Sequence, residues 1–265
     1  MNWEPARADH SIDRVNASIT LASPIDPNTF DELVVATRKM AAAHHLNDRV
    51  DLLDPVEFPV TGEGRVIEIG NLAPPRRVAF RRLEAAGGAP VEEVSVGVQR
   101  VTFFTIRYRR WDDFYQLITT TVASLDQVYP ITQNAKFVRL EYIDRFHSIP
   151  SGADHFEVIS RDSRLLVPAV KTKAAALHVH SGWFDFESPA IRMLTNVNID
   201  VNDIAIPPPP DPRRTLSVLS LGQFEALENV LDRPVERLGK LHEYLKETFK
   251  SIITAEAAAR VGLND

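Results

Sequence analysis

"KFVRLEYIDRFHSIP", Lys136 to Pro150, alternates apolar and polar residues along most of its length, and that period of two marks a β-strand. Successive strand side chains point to opposite faces. Arg139, Glu141 and Arg145 therefore share one face with Phe137 and Ile143, while Val138, Leu140, Tyr142 and Phe146 take the other together with Asp144. A strand with one apolar and one polar face belongs to an antiparallel sheet that is covered on one side.

Downstream, strand patterns recur over Ala174–Phe186, Met193–Val201 and Thr215–Leu221. Upstream, Val15, Ala17, Ile19 and Leu21 alternate in the same way. Asp26 and Pro27 then open a helix whose apolar positions run from Phe30 to Ala41. Short strands are expected at Arg65–Ile69 and Arg77–Leu83, and a single long central strand at Val94–Tyr108. Trp111, Phe114, Ile118, Val122 and Leu125 recur at helical spacing up to Pro130. Val235, Leu238, Leu241, Leu245, Phe249 and Ile252 form the apolar stripe of a closing helix, with His242 on its rim, and Thr254 caps a short final one.

Strands that cluster in meanders predict an α+β fold: mainly antiparallel sheets, helices packed on one face, and two lobes that an internal duplication would relate. The lobes are expected at residues 1–130 and 131–265.

The 265 residues are 44% hydrophobic and 25% charged, an ordinary globular balance. No stretch approaches the roughly 18–20 apolar residues of a spanning helix, and "MNWEPARADHSIDR" lacks the basic-then-apolar order of a secretory signal. A cytoplasmic location is expected, and the absence of cysteine fits it while excluding disulfides, thiol catalysis and thiolate metal sites. A net charge of −6 gives no general attraction to nucleic acid, and the basic-aromatic "RYRRW", Arg107 to Trp111, is a small footprint against it.

Phosphate-cradling and hydrolytic motifs are missing, and "TGEGRVIEIG" precedes a strand where a phosphate loop would join a strand to a helix. "ALHVHSGWFDF", Ala176 to Phe186, places His178 and His180 on one strand face, the spacing of two metal ligands. A third ligand would have to come from His147, Asp144, Asp185 or Asp200, and such a site would serve a metal-assisted hydrolase. The alternation of Leu177 and Val179 already explains the segment as a strand, and no cofactor is expected. Arg139 and Arg145, with Glu141 between them, offer a second candidate, a face for a small anion or a nucleotide.

Three segments carry a resemblance: "RYRRWDDF" (Arg107–Phe114), "RLEYIDR" (Arg139–Arg145) and "LHEYLKETFKSIIT" (Leu241–Thr254). With the patterns R-Y-x-x-W-x-x-F, R-L-x-Y-I-(N/D)-R and L-H-x-x-x-K-x-x-F-x-x-x-I-T, the chain resembles a sporadically distributed, uncharacterised bacterial family. Matching positions are Tyr108, Trp111, Phe114, Arg139, Tyr142, Ile143, Arg145, His242, Lys246, Phe249 and Thr254. The resemblance implies no activity and no cofactor. Its scattered distribution is that of genes carried with defence or toxin–antitoxin modules, an association and not a mechanism. Together these features lead to the expectation of a non-enzymatic, protein-binding accessory component, with a protein partner or self-association as its mode of action.

Overall fold

A computed structural model describes residues 1–53, 76–148, 153–172, 176–204 and 213–263. The strand expected at Arg65–Ile69, the glycine-bearing stretch around it and the prolines Pro207–Pro210 lie outside the described residues. The fold is α+β, with a large antiparallel sheet and helices.

The strands are β1 (Trp3–Pro5), β2 (Ile12–Leu21), β3 (Asp48–Leu53), β4 (Arg76–Leu83), β5 (Pro90–Gly97), β6 (Arg100–Thr105), β7 (Ala135–Ser148), β8 (Leu177–Ser188), β9 (Ile191–Ile204) and β10 (Arg213–Ala226). The helices are α1 (Pro27–Ala43), α2 (Trp111–Asp126), α3 (Pro234–Lys250) and α4 (Ala255–Arg260). Sheet order is β3-β4-β5-β6-β2-β7-β10-β9-β8, with β1 paired to the end of β7.

β2 and β7 are antiparallel neighbours at the centre, and Ala17 opposes Leu140 across them. From β2 the chain crosses through α1 to the far edge and returns as the meander β3-β4-β5-β6. From β7 it crosses to the other edge and returns as β8-β9-β10. The expected lobe boundary at residue 130 falls between α2 and β7, and the sheet continues across it through the β2–β7 pair.

Helices lie over one face. Asp26 caps α1 by accepting from the Asn28 and Thr29 amides at 3.0 and 3.1 Å. The covered face carries Val15, Ala17, Ile19, Val138, Leu140 and Phe103, against Phe30 and Leu33 of α1, Phe114 and Ile118 of α2, and Leu238 and Leu241 of α3. A second cluster, built on Trp3, Phe146, Ile199 and Val218, is closed by Phe249, Ile252 and the alanines of α4. Arg237 of α3 is buried in ion pairs with Asp232, at 2.7 Å, and with Glu187 of β8, which fasten the helix over the second meander. No helix among the described residues is long and apolar enough to cross a membrane.

One expectation is corrected. The single strand expected over Val94–Tyr108 is a hairpin, β5–β6, in which Val96 opposes Val101. Its reversal at Val98-Gln99 is held by the Val98 and Gln99 carbonyls, which accept from the Ile25 and Leu21 amides at 2.7 and 2.9 Å. Non-local backbone bonds thus make a turn that has no Asn-Gly or Asp-Gly signal.

Gly222 of β10 lies directly under α3: a Cβ there would stand 2.8 Å from Leu241 Cδ2. Gly222→Val overpacks this contact and is expected to destabilise the protein by about 1–3 kcal/mol, read from urea unfolding. Wild-type stability in this variant would contradict the packing of α3 on β10.

Candidate functional site

Between β7, β10 and α3, and under the turn that enters α2, lies a cavity of about 490 Å³. His10, Ser11 and Ile12 reach it from the start of β2, and Tyr108 to Trp111 from the turn before α2. Tyr142 and Asp144 contribute from β7, Ser220 from β10, and His242, Leu245, Lys246 and Phe249 from α3. The C-terminal turn Val261–Leu263 closes one side. The three segments with motif-like spacing in the sequence therefore meet at one place.

Asp144 points to the covered face because it alternates in phase with Tyr142 and Phe146, and it is only 3% exposed. Ser11 Oγ donates to its Oδ1 at 2.6 Å. Among the described residues no cationic side chain forms an ion pair with it. Burial disfavours the charged carboxylate and raises its pKa from 3.8 to about 7, against the smaller opposing effect of the Ser11 hydrogen bond.

Beside it, Tyr108, Tyr142 and His242 form a chain of polar groups within an aromatic wall. The Tyr142 hydroxyl lies 2.9 Å from His242 Nδ1 and is hydrogen-bonded to Tyr108. Burial lowers the His242 pKa to about 4, so the ring is neutral at physiological pH. Its Nδ1 and the Tyr142 hydroxyl share one hydrogen, and the Tyr108 ring stands edge-on to Tyr142 with centroids 6.0 Å apart. Burial also pushes both phenols above their usual range. Trp111 stacks on the imidazole with centroids 4.3 Å apart, which fixes the ring plane.

Among the described residues, two of the buried side-chain polar atoms that lack a hydrogen-bond partner belong to residues lining this cavity. One is Oγ of Ser220, a residue 1% exposed that sits opposite Tyr142 in the sheet. The other is His10 Nδ1. His10 Nε2 lies 2.9 Å from the Tyr108 carbonyl oxygen. A carbonyl only accepts, so Nε2 carries a hydrogen, and in the neutral ring Nδ1 is an acceptor. Buried polar groups are nearly always satisfied, so orphans that line a cavity are positions where water or a ligand can bond.

The sites expected from the sequence lie on the opposite, open face. Arg139 donates to Gln223 Oε1 at 3.1 and 2.9 Å. Glu141 accepts from Asn16 at 2.9 Å, and Arg145 pairs with Asp13 at 2.8 Å. The two arginines stand six strand positions apart, about 20 Å along β7, too far to grip one carboxylate together. These side chains form a cross-strand polar network. His178 is exposed, with Nδ1 2.6 Å from Asp200 Oδ1, and His180 opposes Asn198. Asp185 points to the other side of β8 and Asp144 to the covered face of the sheet. His147 bonds Thr215 on β10 at 3.3 Å. Among the described residues no three His, Cys, Asp or Glu side chains are grouped to hold a metal.

No protein-family model matches the chain, and no curated protein matches it in sequence.

Because Asp144 is held above its unfolded pKa, its neutral form favours folding below pH 3.8, and that contribution is lost as pH rises through about 7. Asp144→Asn keeps an acceptor for Ser11 but has no charge to bury. Its stability relative to wild type is expected to climb with pH by about 1.4 kcal/mol per unit across this window and then level off. Denaturant unfolding at several pH values checks this, and a pH-independent difference would refute the desolvated carboxyl.

Proposed function

We propose that the chain is a binding protein for a small organic molecule held in the cavity between β7, β10 and α3. One observation carries this: Ser220 Oγ and His10 Nδ1, buried without partners, line the same cavity as the unpaired carboxyl of Asp144. A volume of about 490 Å³ falls within the range of roughly 300–1,000 Å³ usual for small-molecule sites. The cavity also combines apolar walls with a few convergent polar groups, the composition of such sites. A fluorine-NMR screen of a fragment library is expected to give hits that compete with one another and vanish in Ser220→Leu, whose side chain fills the floor. Hits that survive the substitution, or no hits, would contradict the assignment.

A second function, attachment to a protein partner, is favoured by the edge of the sheet. β8 lies at the end of the strand order, and its Phe184 and Phe186 are 52% and 64% exposed. An edge strand with exposed aromatics offers main-chain hydrogen bonds and apolar anchors to an added strand. This suits an accessory protein of a defence or toxin–antitoxin module. Phe184→Lys with Phe186→Lys is expected to abolish co-purification of a stoichiometric partner without changing the folded monomer. Retention of the partner would place its contact elsewhere.

A further inference from the structure

We infer that the ligand is a small zwitterion bound ammonium-end inward, its N–H donors meeting Asp144, His10 Nδ1 and Ser220 Oγ, and its anionic end meeting Arg109, Arg110 and Lys246. This rests on the cavity being a binding site and names what the site takes.

The floor is a set of acceptors. Asp144 offers carboxyl oxygens, His10 Nδ1 a lone pair, and Ser220 a hydroxyl that both accepts and donates. An ammonium carries three donors and no acceptor, so it complements these groups, whereas an inward anion would face a carboxyl and a lone pair. It also supplies the counter-charge that Asp144 lacks among the described residues. The aromatic rings of Tyr108 and Tyr142 beside it suit a cation further.

The rim is cationic. Arg109 and Arg110 are exposed, Lys246 is half-buried, and none of the three makes an ion pair among the described residues. Acidic groups stand nearby: Asp9 lines the cavity, and Asp112 and Asp113 occupy the first turn of α2. Those two carboxylates already complement the helix N-terminus, so the anion contact falls to the three cationic side chains. Between floor and rim the walls are Ile12, Leu245, Phe249, Val261 and Leu263, which suit a hydrocarbon spacer. Acceptor floor, apolar wall and basic rim together describe an ω-amino acid or a molecule of the same layout.

Isothermal titration calorimetry with 4-aminobutyrate, 6-aminohexanoate and 8-aminooctanoate tests this, with hexylamine and hexanoate as single-ended controls. One spacer length is expected to bind best, and each single-ended control to bind about ten-fold or more weakly. Asp144→Asn, which removes charge without adding bulk, is expected to lose about ten- to a hundred-fold in affinity. Lys246→Met is expected to weaken the amino acids while leaving hexylamine unchanged.

The charged partner is the carboxylate, so wild-type affinity rises with pH through about 7 and Asp144→Asn shows no such rise. The titratable and charged groups that line the cavity with Asp144 are Asp9 and His10 before β2, Tyr108, Arg109 and Arg110 before α2, Tyr142 on β7, and His242 and Lys246 on α3. Flatness in Asp144→Asn separates its titration from theirs. Hexanoate binding as tightly as the amino acids, or unchanged affinity in Asp144→Asn, overturns the inference. If library fragments occupy the cavity and no ω-amino acid does, the ligand class falls while the binding function stands. If neither binds, both fall.

Discussion

The antiparallel pairing of β2 with β7 is the contact on which the rest of the molecule depends. It joins two meanders that otherwise share no strand, and it sets the register that turns Val15, Ala17 and Ile19 toward the same side as Val138, Leu140 and Tyr142. A slip of one residue would turn this set to the open face and bring Arg139, Glu141 and Arg145 into the core. All three long helices then have one apolar surface to cover, and the site forms where α3 and the entry to α2 meet over β7.

That arrangement gives the two faces different physics. On the open face water solvates charges, so Arg139, Glu141 and Arg145 settle into cross-strand pairs that are worth little individually. On the covered face a polar group is desolvated, and each must find a partner or carry a cost. Tyr142 and His242 find one another. Asp144, Ser220 and His10 are incompletely matched, and they adjoin the same space. Groups held in this way are pre-organised: a ligand that completes them gains interaction without the protein having to reorganise.

Much of the fold was legible because long periodic segments announce themselves. The alternation in Lys136–His147, the cap at Asp26-Pro27 and the stripe from Val235 to Ile252 all correspond to observed elements. The β5–β6 turn was not, because backbone bonds to Leu21 and Ile25, distant in sequence, hold it. The site was half visible. Asp144 stands in phase with Val138, Leu140, Tyr142 and Phe146, and a carboxylate on the apolar side of a strand is the one signal in that segment that sheet chemistry does not explain. Arg139, Arg145 and His178 are conspicuous by charge or imidazole, yet on the open face they take ordinary cross-strand partners. Ser220 and His10 gave no signal, since their importance comes from what lies across the sheet and beneath the turn before α2.

Asp144 is a desolvated carboxyl without a counter-charge among the described residues, and the site is built around it. Carbon-13 NMR of the Asp144 side-chain carboxyl, followed through a pH titration of the ligand-free protein, measures this directly. A midpoint near 7 is expected, far above the ordinary 3.8 of an aspartate. A midpoint at or below 3.8 would mean that the carboxylate is solvated or paired with a cation, and would contradict the account.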